Sequence, residues 1–201
     1  MKFKGVVVGL GNPGEEYKFT RHNSGFLVVE EILKQKTVAF LGEGVYFKVW
    51  EWTITNETRW MVCETKTYMN LSGLCIKELC NKYKLLPSDV LVVHDELDLP
   101  FGKVKFKFNG GVAGHKGLLS IVEAIGPSFY RLRIGIGRPE DRSIDIKEYV
   151  LSPFSPEESS HLPKILDISV KGIDIFCTQG LEKAMNLVHS FSLIKGEGKS
   201  V

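Results

Sequence analysis

The stretch that decides the reading runs from Val6 to Phe26, VVVGLGNPGEEYKFTRHNSGF. It begins as a short β-branched run closed by Gly-Asn-Pro-Gly, which predicts a buried strand followed by a loop. The glycines fall as Gly9-x-Gly11-x-x-Gly14, the spacing of a dinucleotide-binding turn. That spacing is weak when it stands alone. A dinucleotide fold needs a helix to start at the later glycines, so that its N-terminus holds the pyrophosphate. Pro13 would be tolerated in a first helical turn. The residues after Gly14 give no helical apolar stripe, however, and the helix pattern starts only past Asn23. Glu15 and Glu16 would also repel a phosphate. The glycine pattern therefore reads against a nicotinamide cofactor.

The same stretch carries a second chemistry. Asn12, Tyr17, Arg21, His22 and Asn23 are polar side chains around a tight turn at a strand's carboxyl end, where open α/β sheets bind ligands. A histidine in a loop is commonly just solvated. The counterweight is Asp95, which ends a second apolar run, DVLVVHDELDLPFG. If the two strands are neighbours, a carboxylate can orient one imidazole nitrogen and leave the other as a base near neutral pH.

Outward from these segments, strands alternate with helices. From Asn23 a helical stripe is predicted, then strands over VYFKVWEWTIT and RWMVCET, and a helix over SGLCIKELCNKYKLL with Ser72 as a possible cap. KVKFKF alternates strictly, placing Lys103, Lys105 and Lys107 on one face and Phe106 and Phe108 on the core side. YRLRIGIGRP puts Arg131 and Arg133 together. GGVAGHKGLLSIVEAIG is a glycine-rich loop entering a helix, and the chain from about residue 155 to 201 reads as mostly helical. The fold class expected is α/β: one domain spanning 1–201, a three-layer α/β/α sandwich on a mixed, mostly parallel sheet.

The 201 residues are enough for a sizeable core, and the apolar (43%) and charged (25%) fractions are those of a globular chain. A net charge of +2 excludes a bulk cationic nucleic-acid binder and leaves only a local basic patch. Cys63, Cys75, Cys80 and Cys177 make no C-x-x-C pair and read as structural thiols. No metal-ligand spacing is visible. No apolar run approaches the length of a membrane span, and the N-terminus does not read as a signal peptide. A soluble, cytoplasmic protein is expected.

Four segments in order, GLGNPGEEYKFTRHNSGF, TYMNLSG, VHDELDLPFGKVKFKFNGGVAGHKGL and YRLRIGIGRP, resemble the bacterial-type peptidyl-tRNA hydrolases, and YVLSPFSPEE fits the same family. The resemblance implies an enzyme that cleaves the ester between peptide and tRNA, without metal or cofactor, acting on peptidyl-tRNA as a monomer. It implies His22 as catalytic base and Asp95 as its partner. It implies Asn12, Asn70, Tyr17, Met69 and His115 around the substrate, and Lys105, Lys107 and Arg133 as a clamp on tRNA phosphates. The residues suit these roles: a His–Asp pair can activate water, no G-x-S-x-G elbow supplies a serine nucleophile, and an amide N–H can meet a developing oxyanion. Other readings stay open at several positions. Asn70 could cap a helix, Met69 could belong to the core, and the lysine face could be merely solvated.

Two positions depart from the family pattern. Lys116, in GHKG, stands where many members have Asn, so the substrate-binding role of that position does not transfer by type. It could meet a phosphate or carboxylate, or simply be solvated. Glu64-Thr65 replaces a common Lys-Pro before TYMN. An RNA-binding relative without hydrolysis is the competing reading, which the presence of both His22 and Asp95 disfavours.

Overall fold

A computed structural model describes residues 2–193; the end of the expected helical C-terminal part, 194–201, lies outside the described residues. Seven strands form one sheet: β1 (Val6–Gly9), β2 (Val38–Glu43), β3 (Phe47–Thr53), β4 (Arg59–Thr65), β5 (Val90–Glu96), β6 (Val104–Phe108) and β7 (Tyr130–Gly135). Their order is β2-β3-β4-β1-β5-β7-β6. The four central strands β4, β1, β5 and β7 run parallel, and the edges are closed by antiparallel pairing of β2 with β3, β3 with β4, and β6 with β7. The central strands are buried on both faces, which is why their sequences read as unbroken apolar runs.

Helices α1 (Ser24–Gln35), α5 (Pro156–Gln179) and α6 (Leu181–His189) cover one face. Val7, Leu91, Val93, Leu132 and Phe106 pack there against Val28, Ile32 and Ile173. Helices α2 (Ser72–Tyr83) and α3 (Lys116–Ile125) cover the other face, where Val6, Val8 and Val92 meet Ile76, Leu79, Leu118 and Ile121. A short helix, α4 (Ile146–Val150), lies beyond the carboxyl end of β7. The three-layer α/β/α sandwich on a mixed sheet is thus present, with five of the seven strands pointing one way. Among the described residues no helix is long and apolar enough to cross a membrane.

Several local expectations need correction. β2 was not foreseen, because its residues are mostly exposed on an edge strand and carry no buried period. Phe108 is 43% exposed at the end of the edge strand β6, not core. Ser72 does not cap α2; its hydroxyl donates to the carbonyl of Met69. Arg131 does not share the exposure of Arg133. It is buried, stacks on Phe129, and donates to the carbonyls of Gly110 and Gly111, so it ties down the glycine loop.

The first glycine-rich turn also has a structural use. After Gly14 come two 3-10 turns, Glu15–Tyr17 and Arg21–Asn23, and no α-helix starts until Ser24. No helix N-terminus faces the glycines as a pyrophosphate would need. What the region does need is close approach. A Cβ at Gly25 would collide with the carbonyl of Val93 and the backbone nitrogen of Leu10. Glycine there lets α1 press onto the ends of β1 and β5.

Candidate active site

Three adjacent parallel strands deliver the site. The loop after β1 carries Asn12 and His22, the turn after β4 carries Met69 and Asn70, and β5 brings Asp95 at its carboxyl end. A cavity of about 600 Å³ opens over these ends. Its lining includes Asn12, His22, Met69, Asn70, Asp95, His115 and Lys116. Ile146, Lys147, Val150 and Leu151, from α4 and the residue after it, face them across it.

Asp95 is 3% exposed and holds two imidazoles. Its carboxylate lies 3.0 Å from His22 Nδ1 and 3.0 Å from His115 Nε2. His115 caps α3, its Nδ1 accepting the N–H of Leu118, so the proton on that ring sits on Nε2 and points at Asp95. His22 likewise donates from Nδ1, which leaves Nε2 with its lone pair. Burial alone would push the Asp95 carboxyl up. The imidazoles of His22 and His115 outweigh it and hold the group well below the usual carboxylate range. Burial works against a charge on His22. The facing Asp95 carboxylate overcomes this and Lys116 opposes it, and the net result is a pKa above the ordinary 6.5.

Asn12 is buried and its orientation is fixed. Its backbone N–H donates to Asn23 Oδ1 at 2.8 Å, and Asn23 Nδ2 returns a bond to the Asn12 carbonyl at 3.0 Å. Its own Oδ1 accepts the N–H of Met69 at 2.8 Å. The side-chain NH₂ therefore remains as a donor toward the cavity. Asn70 is exposed in the 3-10 turn Met69–Leu71 and caps nothing; the residue before α2 is Leu71. Met69 is 4% exposed and belongs both to the core and to the cavity floor. Tyr17 stands one layer back, its ring edge-on to Tyr68 at 6.4 Å, and it is Tyr68 that lines the cavity.

Lys105, Lys107 and Arg133 are not in the cavity. They occupy the α3 side of β6 and β7, where Lys105 is in register with Arg133 and Lys107 with Arg131. Arg133 reaches Glu96 on β5 at 3.7 Å. The cationic strip thus begins beside the acidic end of β5. Glu64 pairs in register with Lys48 on β3 and does not line the cavity; burial raises its carboxyl pKa, with Lys48 opposing.

Near the site, sequence reasoning missed His94 and missed the depth of Arg21. His94 precedes Asp95 in HDELDLP, yet it points to the opposite face of β5. It is fully enclosed, its Nδ1 2.6 Å from the Asp95 carbonyl and its ring edge-on to His115 at 5.1 Å. Burial, then the neighbouring His115, lower its pKa to about 3, so it stays neutral. Arg21 anchors the turn that carries His22. Its guanidinium stacks on Tyr149 at 4.3 Å and donates to Ser152 Oγ, the Pro153 carbonyl and Glu158. A run of polar residues in a loop gave no sign that this one was buried. The fold also gathers His22, Asp95 and His115, separated by 73 and 20 residues, with ligand atoms within 4.8 Å of one another, a set that linear spacing does not display.

Comparison with known proteins agrees with this architecture. A sequence model described as peptidyl-tRNA hydrolase matches residues 6–196. A curated peptidyl-tRNA hydrolase of Oleidesulfovibrio alaskensis is 41% identical over 199 residues, covering 94% of this chain and 98% of the relative. That of Thermodesulfovibrio yellowstonii is 41% identical over 185 residues, covering 90% and 97%. The crystal structure of the Acinetobacter baumannii peptidyl-tRNA hydrolase superposes with a TM-score of 0.86 at 31% identity, covering 96% of this chain and 98% of that one. With the fold, the strand-end cavity and these matches in agreement, the chain belongs to the peptidyl-tRNA hydrolase family.

Proposed function

We propose that this chain hydrolyses the ester linking a peptide to the terminal ribose of tRNA, using water activated by His22. The observation that carries the reading is the convergence of His22, Asp95 and Asn12 on one cavity at the carboxyl ends of β1 and β5. His22 Nε2 takes a proton from water as the oxygen attacks the ester carbonyl carbon. The resulting imidazolium is stabilised by the Asp95 carboxylate at 3.0 Å. Negative charge moves onto the carbonyl oxygen, where the Asn12 NH₂ and the Asn70 amide donate. Collapse of the tetrahedral species breaks the carbon–oxygen bond to ribose, and His22 returns its proton to the leaving hydroxyl.

The remaining assignments fit this scheme. His115 holds Asp95 from the other side, Met69 and Tyr68 shape the floor and rim with Tyr17 behind, and Lys116 adds a cation at the mouth. Lys105, Lys107 and Arg133 form a strip for tRNA phosphates. No step calls for a metal or cofactor. The single sheet supports treating the chain as one functional unit. We further read it as a cytoplasmic monomer, in keeping with a family that serves translation.

The test is turnover of an N-acyl-aminoacyl-tRNA by the wild type and by His22→Ala. Loss of hydrolysis with retained tRNA binding is the expected result. Near wild-type turnover in a folded His22→Ala protein would remove the proposed base.

A further inference from the structure

His22, Asp95 and His115 do more than share a hydrogen-bond network. Asp95 Oδ1 lies 3.0 Å from His22 Nδ1 and 3.0 Å from His115 Nε2, and one ligand atom from each residue falls within 4.8 Å of the others. Ligands bound at about 2.0–2.2 Å to a tetrahedral ion stand roughly 3.3 Å apart. Both carboxylate–imidazole edges are therefore already near the spacing that such an ion imposes. The two imidazole nitrogens, within 4.8 Å of each other, would have to close by up to about 1.5 Å to reach it. His115 stands between Gly114, which has a φ of 78°, and Gly117, and the movement would exchange its present contacts with Asp95 and Leu118 for the metal.

The donor set selects the class of ion. Two imidazoles and one carboxylate suit zinc and the neighbouring first-row divalent cations. Magnesium and calcium favour oxygen shells and would gain little from the two rings. The cavity leaves room for water on the open side of the ion. The buried carboxylate, otherwise balanced only by N–H donors, would meet a full countercharge.

We propose that His22, Asp95 and His115 form a binding site for a divalent transition-metal ion of the zinc class, and that occupying it stops hydrolysis. The inhibition rests on His22 being the base; the binding does not. Proton placement explains the effect. A metal on His22 Nδ1 uses that lone pair, so the single proton of the neutral ring must move to Nε2. Nε2 then cannot accept a proton from water. On His115 the metal takes the Nε2 lone pair and the proton shifts to Nδ1. This gives up the 3.3 Å capping bond from Leu118 and replaces the hydrogen bond from Nε2 to Asp95 with the metal. Two nitrogen–metal bonds and one oxygen–metal bond replace waters of the ion, and nothing is oxidised or reduced.

The experiment titrates zinc chloride into the full-length, tRNA-free protein by calorimetry, in a buffer that does not bind metal. Cobalt(II) absorption serves as a second readout of nitrogen–oxygen coordination. Wild type should bind one ion that the His22→Ala/His115→Ala double variant does not, with each variant's fold checked by circular dichroism. His115→Ala alone should weaken binding by at least roughly tenfold, the loss that even an outer-shell partner of a metal ligand causes. His161→Ala is the control for stray surface binding, because His161 stands beside Glu157 and Glu158 in a separate cavity. It should bind as the wild type does. In turnover, zinc should inhibit the wild type and a zinc-selective chelator should reverse it, with His115→Ala needing more zinc relative to its own rate. Equal zinc affinity in wild type and the double variant, or loss of binding in His161→Ala, would overturn the site. Zinc bound at the site with undiminished hydrolysis would overturn the inhibitory half and count against His22 as the base, while the site itself stood.

Discussion

The Oδ1 atom of Asn12 accepts the backbone N–H of Met69 at 2.8 Å. This one bond decides what Asn12 can offer a substrate. With the oxygen engaged, the amide can only present its NH₂ to the cavity. Asn12→Asp keeps the acceptor and the size, but it removes the donor and adds a negative charge where charge would develop in the transition state. The variant should fold normally and lose about 10²–10³ in kcat, the usual cost of one oxyanion donor. A kcat within a few-fold of wild type would show that Asn12 is scaffold only.

In the proposed mechanism the His22–Asp95 pair sets the pH profile. His22 must be neutral to act as base, and Asp95 holds its pKa above the ordinary 6.5. Turnover should therefore fall on the acid side, with its midpoint above that value. Asp95→Asn removes the charge that overcame burial, so the midpoint of the residual activity should move to lower pH as kcat drops. His22→Ala should abolish the limb and cost on the order of 10²–10⁴ in rate. An acid limb unchanged in Asp95→Asn would separate the two residues.

Arg21 tests whether the turn before His22 is held by α5. The Arg21 side chain is 8% exposed and that of its partner Glu158 18%. Removing one member of a buried pair costs about 3–5 kcal/mol. Arg21→Ala should fall near the lower end, because Glu158 keeps solvent exposure and the N–H of Ser155. Thermal unfolding measures it, and an unchanged Tm would mean that the pair contributes nothing net.

The central layer of this fold was legible because strands buried on both faces are written as continuous apolar runs. The strand-end cavity was legible in part for the same reason, since Asn12 and Asp95 lie at the ends of such runs and His22 lies in the loop after the first. What sequence could not show was depth. Arg21 and Arg131 read like any other cations in polar or alternating segments, yet both are buried and hold loops through backbone carbonyls. Edge strand β2 lacked a buried face to announce it. His94 was hidden by its neighbour, because adjacent residues on a strand serve opposite faces.

The basic strip predicts a salt signature. Lys105 and Arg133 are cross-strand partners, and Lys107 continues the row. Replacing all three by Ala should raise KM for the tRNA substrate. The slope of log K against log salt should flatten by roughly 0.7–0.9 for each phosphate that is no longer neutralised. Small N-acyl ester substrates without tRNA should be hydrolysed as before. An unchanged salt slope would move the phosphate-binding cations elsewhere.

Lys116 opens α3 at the mouth of the cavity, immediately after His115. A cation is unfavourable at a helix N-terminus, so the fold gains nothing from it there. It is exposed and forms no ion pair among the described residues. Its charge reaches His22, where it opposes the pull of Asp95. Lys116→Asn should therefore have two effects. If the side chain meets a phosphate or carboxylate of the substrate, KM should rise while kcat stays within a few-fold of wild type. The acid limb should also shift slightly to higher pH, because the cation that opposes His22 protonation has gone. Lys116→Arg, which keeps the charge, should restore both. A collapse of kcat with unchanged KM, not rescued by Arg, would place Lys116 in the transition state and reassign it from substrate binding to catalysis.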